Sequence, residues 1–308
     1  MQPAGPNDIQ RGDTLLVGDL PVIEPAPGGI PPVIVDVRPE EVAPPPIHPL
    51  HPVRRKPRLN GTQAVIVLLV FLGAQLAGGL AVGMAGGVVA GLKLAIHHSG
   101  VPLAQEIAAL RPALMLWGML VGGLVSAIAM LKFCVVRVRD SLSDRSPNGA
   151  AWVYGTAREN AKGLVVGVLI GLSGLVVAAI ADAIGIHATP SPMAEIYSKP
   201  GAPQLVWVAL ALFLAPPTEE LLFRGVMYGG FRASVGARWA AILTIAIFVL
   251  LHVTELVHFP PATIGLAGLA GGALWIRLRT AAIGPAVLVH FGYNLVATST
   301  VVLMTATR

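Results

Sequence analysis

Polar side chains able to move protons lie inside three stretches of the sequence that are otherwise apolar. Ionisable groups in such stretches are costly to bury, which makes them candidates for function. A carboxylate can act as a general base, and imidazole and amide groups can donate hydrogen bonds to an oxyanion. The side chains are, in chain order, Glu219, Glu220, Arg224, Phe248, His252, His290 and Asn294.

The first stretch distinguishes its two carboxylates by their positions on a helix. Pro216 and Pro217 fit the first turn of a helix, where a missing N–H group does little harm. Glu220 and Arg224 are four residues apart, so they share a face and can form an ion pair. Glu219 points about 100° away. We therefore predict proton chemistry for Glu219 and a supporting role for the pair. The alternative is a charge network that only fixes helix packing.

The other two stretches each place a histidine and a second side chain on one helical face. Phe248 and His252 are four residues apart, as are His290 and Asn294. Counted from the cytoplasmic ends of their predicted helices, Glu219, His252 and His290 lie at depths of roughly 14, 20 and 14 Å. All three depths fall inside the ~30 Å hydrocarbon core of a bilayer. Such a cluster could bind and activate a water molecule for hydrolysis.

In this order the three motifs resemble those of the CAAX-protease and bacteriocin-processing family, intramembrane endopeptidases that include the Ras-converting enzyme. The resemblance covers about residues 204–300. It implies that Glu219 activates the hydrolytic water with help from His252, and that His290 and Asn294 stabilise the oxyanion of the tetrahedral intermediate. The residues with implied supporting roles are Glu220, Arg224 and Phe248.

The resemblance leaves both the cofactor and the substrate open. A zinc site made by Glu219, His252 and His290 is chemically reasonable, although the sequence has no HExxH motif. We favour hydrolysis by a glutamate-activated water with no cofactor. The expected substrate is a membrane-associated or lipidated protein or peptide, and no residue in the sequence indicates that a prenyl group is recognised.

The composition predicts a protein with many membrane-spanning helices. Of the 308 residues, 12% are charged and 55% are hydrophobic. The charged share is about half of that expected for a soluble domain. An ordinary cytosolic enzyme is thereby excluded, and the net charge of +5 gives no reason to expect nucleic acid as a partner. The single cysteine, Cys134, excludes an intrachain disulfide.

Apolar runs predict an all-α transmembrane bundle over residues 61–308, with about seven spans and an eighth as an alternative. Residues 1–60 hold 14 of the 26 prolines and 13 of the 37 charges, which is typical of a disordered tail. The least secure span is the short, glycine-rich run at 262–276. The predicted spans are 62–92, 112–131, 163–186, 204–228, 239–257, 262–276 and 281–304.

Lysine and arginine predict the orientation of the bundle. Between the predicted spans, 15 basic side chains lie on one side and four on the other. Because basic residues favour the cytoplasmic side, we expect the N-terminus in the cytoplasm and the C-terminus outside, in a bacterial plasma membrane.

A stripe of glycines in the first predicted span could support close helix packing. Gly79, Gly83, Gly87 and Gly91 recur every four residues, so they share one face of a helix. A smooth face of this kind allows another helix to approach closely. The stripe predicts either a homodimer interface or packing within the same bundle.

Two other functions are compatible with the same charges. A proton-coupled secondary transporter could use Glu219 as its coupling carboxylate, although transporters are often built from repeated halves and no internal repeat is visible. A catalytically silent member of the same family could act as a membrane scaffold. The intact set of motif residues favours the protease over the scaffold.

Overall fold

A computed structural model of the protein describes residues 59–97, 102–191, 196 and 201–307. The predicted tail therefore lies outside the described residues, except for Leu59 and Asn60. Within the described ranges every regular element is a helix and no strand occurs, which confirms the predicted all-α fold.

The helices fall into two groups along the chain. The first group is α1 (Gly61–His97), α2 (Leu103–Arg137), α3 (Arg139–Leu142) and α4 (Ala157–Ala183). The second group contains two π-helical segments, π1 and π2, within a long helical run. Its members are α5 (Ala202–Ala209), π1 (Leu210–Leu214), α6 (Ala215–Glu220), π2 (Leu221–Met227), α7 (Tyr228–Leu250), α8 (Val253–His258), α9 (Ala262–Thr280) and α10 (Gly284–Ala306).

Five helices in the described part of the chain are long and apolar enough to cross a bilayer, so the chain is an integral membrane protein. They are Gly61–Ile96, Leu103–Arg137, Ala157–Ala183, Ala202–Leu250 and Gly284–Ala306. The run at 262–276, predicted as the least secure span, lies in α9, which is not one of the five.

Gly236 divides the longest of these helices. At 1.5 Å per residue, 49 uninterrupted residues would measure roughly 70 Å, more than twice the hydrocarbon thickness. Gly236 has φ 82° and ψ 168°, a conformation that glycine adopts without steric cost. The run from Ala202 therefore contains two helices that meet at Gly236.

Glycines on α4 set the position of α10, the helix that carries His290. A Cβ atom added at Gly163 would overlap the carbonyl group of Pro285, and one at Gly167 would overlap that of Val289. The facing residue Gly292 has no room either, because its Cβ would lie 2.7 Å from the carbonyl oxygen of Leu164. The two helices thus touch backbone to backbone, which fixes the register and depth of α10.

The glycine stripe of α1 is not the surface that packs most tightly on α2. That contact uses Gly78 and Gly86, where an added Cβ would overlap Gly122 and Leu114 respectively. A Cβ added at any member of the predicted stripe would meet nothing within 4 Å; these members are Gly79, Gly83, Gly87 and Gly91. Dimerisation through the stripe stays a prediction.

We expect Gly167→Ala to loosen the contact between α4 and α10. The new methyl group overlaps a carbonyl, and overpacking of this kind costs about 1–3 kcal/mol. The apparent midpoint of thermal unfolding in detergent, followed by tryptophan fluorescence, is expected to fall by about 2–10 °C.

The matched control is Gly174→Ala on the same helix, where a Cβ has open space. Alanine is the better helix former, so this variant is expected to keep or slightly raise the midpoint. Equal midpoints for the two variants would contradict the close contact at Gly167.

Candidate active site

The helix that carries the two glutamates begins at a break made by two prolines. In π1 the N–H of Ala215 donates to the carbonyl of Leu210, five residues earlier. The next residue, Pro216, has no N–H, so the carbonyl of Ala211 lacks its helical donor. Asn294 supplies one instead, since its side-chain Nδ2 lies 2.7 Å from that carbonyl oxygen. The amide thus joins α10 to the segment just before the glutamates.

Glu220 forms the buried centre of the site. Its Oε1 atom accepts a hydrogen bond of 2.9 Å from Nη1 of Arg224, as the four-residue spacing predicts. The same oxygen lies 2.9 Å from Nδ1 of His290, which is 70 residues away in the sequence. The side chains of all three residues are at most 4% exposed. One carboxylate oxygen therefore connects two helices through two charge-assisted contacts.

Phe248 is fully buried and contacts four members of the site or its surroundings. Its ring lies 4.6 Å from the guanidinium carbon of Arg224, a cation–π distance, and 5.1 Å from the ring of Phe223. The imidazole of His252 lies 4.7 Å away and that of His290 lies 6.0 Å away, centroid to centroid. The two imidazole centroids are therefore no more than 10.7 Å apart, the sum of these two separations.

One ring nitrogen of His252 is hydrogen-bonded, and the other is available to accept a proton. Its Nδ1 lies 2.8 Å from the backbone carbonyl oxygen of Phe248. A carbonyl can only accept, so Nδ1 carries a proton and the neutral ring has its lone pair on Nε2. His252 lies directly before α8 and is half-buried. The ring is thus oriented by Phe248, the same residue whose ring also contacts His290.

Glu219 differs from Glu220 in both exposure and partners. Its side chain is 21% exposed, whereas that of Glu220 is fully buried. Its Oε2 atom is shielded from solvent and has no hydrogen-bond partner among the described residues. Nε2 of His290 lies 4.0 Å from this oxygen, which is too far for a direct hydrogen bond.

The structure therefore brings six of the seven predicted side chains into one connected cluster. Glu220 contacts Arg224 and His290. His290 lies 4.0 Å from Glu219 and also contacts Phe248, whose ring contacts His252. The seventh, Asn294, is one helical turn from His290 and holds the carbonyl of Ala211. Sequence reasoning missed that contact, although the missing N–H groups of Pro216 and Pro217 gave a signal for it.

A zinc site at these residues would need at least three ligands held close together. No group of three His, Cys, Asp or Glu side chains in the described ranges is arranged to hold a metal ion. His290 and His252 each have Nδ1 hydrogen-bonded, to Glu220 and to the backbone carbonyl of Phe248, which leaves Nε2 of each ring as the atom that could bind a metal. Hydrolysis without a cofactor stays a prediction, and we derive no step through a metal.

A comparison with known families covers this part of the chain. Residues 201–296 match the family described as type II CAAX prenyl endopeptidase, Rce1-like. The chain carries a CAAX-protease domain. The matched segment contains all seven predicted residues, and the recognition made from their motifs is confirmed. No curated protein and no solved structure matches the chain. The match supports a CAAX-type protease, and the five apolar helices support its place in a membrane.

We expect Arg224→Met to destabilise the CAAX-protease domain strongly. The variant leaves the Glu220 carboxylate buried without its cation, and breaking a buried ion pair costs about 3–5 kcal/mol. The midpoint of thermal unfolding in detergent should fall by at least about 6 °C. Adding Glu220→Gln to the same chain removes the unpaired charge and should recover part of the loss.

The exposed arginine Arg279 on α9 provides the control, as Arg279→Met. It removes an equal charge from the surface and is expected to change the midpoint by less than about 2 °C. Comparable losses at both arginines, or no recovery in the double variant, would contradict the buried pair.

Proposed function

We propose that the protein is an intramembrane endopeptidase that hydrolyses a peptide bond of a membrane-associated or lipidated protein or peptide. Glu219 activates the hydrolytic water in this proposal. The observation that carries it is the 4.0 Å gap between Oε2 of Glu219 and Nε2 of His290. The family match supports the reaction class, and the geometry supports the roles of the individual residues.

The hydrogen bonds around His290 determine which of its ring nitrogens carries the proton. Oε1 of Glu220 accepts a charge-assisted hydrogen bond from the guanidinium of Arg224. An ionised carboxylate can only accept, so Nδ1 of His290 donates to it. In the neutral ring Nε2 then has a lone pair directed into the gap. The gap is therefore bounded by two acceptors, one from Glu219 and one from His290.

A water molecule fits between these two acceptors. If each contact is about 2.8 Å, a usual hydrogen-bond length, a 4.0 Å separation gives an angle near 90° at the water oxygen. Both hydrogens are then used as donors, and a lone pair of the oxygen is free to attack a carbonyl carbon. Desolvated, unpartnered acceptors such as Oε2 of Glu219 favour such a bound water.

The reaction then follows from the roles of the two acceptors. The water oxygen bonds to the carbonyl carbon of the substrate while Glu219 takes a proton, which yields a tetrahedral oxyanion. The C–N bond breaks as the intermediate collapses, and Glu219 returns the proton to the leaving amine. Asn294 uses one amide hydrogen on Ala211, so its second can donate to the oxyanion.

The two histidines have distinct places in this scheme. His290 orients the water first, and it can donate to the oxyanion only after Nε2 takes a proton. Glu220 would stabilise that imidazolium, as a buried carboxylate does behind a catalytic histidine. His252 packs against Phe248, and we assign to it the help in activating the water that the resemblance implies. Glu220, Arg224 and Phe248 are positioning residues.

We expect Glu219→Gln to abolish hydrolysis while the protein stays folded. Loss of a general base reduces rates by about 10²–10⁴-fold, and glutamine keeps the size of the side chain. The measurement is the release of the C-terminal tripeptide from a farnesylated CAAX peptide by full-length protein in liposomes, detected by mass spectrometry.

Glu255→Gln is the matched control, because Glu255 is an exposed carboxylate on α8 whose Oε2 accepts only from the neighbouring Thr254. It is expected to retain full activity. The mechanism is wrong if Glu219→Gln cleaves the peptide as fast as the unchanged protein.

We also expect hydrolysis to survive removal of metal ions. Protein dialysed against EDTA and shown by elemental analysis to hold less than one divalent ion per chain should keep its rate. This expectation follows from the proposed role of Glu219, which activates the water as a general base without a metal. A rate lost on dialysis and restored by zinc would show instead that the side chains rearrange around a metal.

A further inference from the structure

A cavity of about 160 Å³ lies beside the helix that carries His290. Its walls come from α4, from the start of α9 with the preceding turn, and from α10. Most of its lining is apolar or has no side chain. The residues that matter below are Gly174, Leu175, Phe259, Gly265, Tyr293 and Ala297. A dry cavity of similar size, about 150 Å³, accepts a benzene molecule.

The cavity is kept open by glycines. A Cβ atom added at Gly174 would meet nothing within 4 Å, so the space next to α4 is empty. At Gly265 an added Cβ would lie 2.9 Å from the hydroxyl oxygen of Tyr293. Side chains at these positions would occupy or narrow the cavity.

Among these lining residues, Tyr293 alone has a polar side-chain group. Its hydroxyl has no hydrogen-bond partner in the part of the chain that the structure describes, and the residue is half-buried. A tyrosine hydroxyl at the wall of an apolar cavity can donate a hydrogen bond to a bound group. A ligand seated in the cavity that offers a carbonyl oxygen would satisfy it.

The cavity lies within a short axial distance of His290 along α10. Tyr293 is three residues from His290, an axial distance of about 4.5 Å, and Ala297 is seven residues away, about 10.5 Å. An extended peptide advances about 3.3–3.6 Å per residue. A substrate whose scissile bond lies at His290 would therefore reach the cavity with a side chain one to three residues away. The turn at Phe259 also follows α8, which begins directly after His252.

We propose that this cavity is a substrate subsite that receives one apolar side chain of the peptide, while Tyr293 donates a hydrogen bond to the peptide backbone next to it. The assignment rests on the proposed endopeptidase function. Tyr293 and Gly174 are then determinants of specificity outside the cluster that performs hydrolysis. The proposed occupant is a peptide side chain. The experiment below distinguishes it from a lipid chain bound in the same cavity.

The test uses photo-crosslinking, because binding can be read without cleavage. Full-length Glu219→Gln protein in liposomes is mixed with a farnesylated CAAX peptide that carries photo-leucine at each of its last three positions in turn. After illumination the attachment sites are mapped by mass spectrometry. A parallel peptide carries the photoreactive group on the isoprenoid. We expect one of the side-chain probes to attach within 171–175, 259–265 or 293–297.

Two glycine variants and one tyrosine variant give the controls. Gly174→Leu fills the cavity and should reduce that crosslink at least tenfold. Gly271→Leu adds the same side chain at another position with open space, outside the cavity, and should leave the yield unchanged. Tyr293→Phe removes only the hydroxyl and should weaken peptide binding by about 2–10-fold.

Attachment of side-chain probes elsewhere, attachment by the isoprenoid probe alone, or a yield unaffected by Gly174→Leu would each overturn the subsite. Cleavage of the unmodified peptide is scored separately. Crosslinking in the cavity together with undiminished cleavage by Glu219→Gln would reject the hydrolytic mechanism and keep the subsite. Loss of cleavage in Glu219→Gln without crosslinking in the cavity would reject the subsite alone.

Discussion

The site depends on one carboxylate oxygen that two helices share. Oε1 of Glu220 accepts from Arg224 on its own helix and from His290 on α10, with all three side chains withdrawn from solvent. Because a buried carboxylate is stable only with its partners, the two contacts hold the helices at a fixed distance. The same contacts orient His290, so that its other nitrogen faces Glu219. Charge burial thus determines both the packing of the helices and the protonation pattern of the site.

The positions of the helices depend on atoms that glycine and proline lack as much as on the side chains that make contacts. The absent Cβ atoms of Gly163 and Gly167 allow α4 to meet the backbone of α10. The absent N–H of Pro216 leaves a carbonyl that only an outside donor can satisfy, and Asn294 provides that donor. Both devices act on α10, one from each side. The position of His290 is thereby constrained by contacts of α10 with two backbone segments, in addition to the contact of His290 with Glu220.

Much of this site could be predicted from the sequence, because local spacing carries the information. The pair of Glu220 and Arg224 follows from a separation of four residues, and the proline turn follows from the chemistry of proline. The contact between Glu220 and His290 could not be predicted, since it spans 70 residues and depends on the depth of α10. Glycine spacing alone is ambiguous: the stripe that begins at Gly79 has open space around it, whereas an equally regular stripe on α4 is tightly packed.

The contact between α4 and α10 also bears on what counts as a unit of this protein. The segment recognisable as a CAAX-protease domain begins at residue 201, yet the glycines that pack against the helix carrying His290 lie at 163 and 167, upstream of that boundary. A fragment cut at residue 201 would lose the backbone contacts of Pro285 and Val289 with α4, although it would keep the contacts of Glu220 with His290 and of Asn294 with Ala211. The part of the chain that is recognised by similarity is therefore smaller than the part that must fold together. Transferring the three motifs alone to another chain would not transfer the folded site.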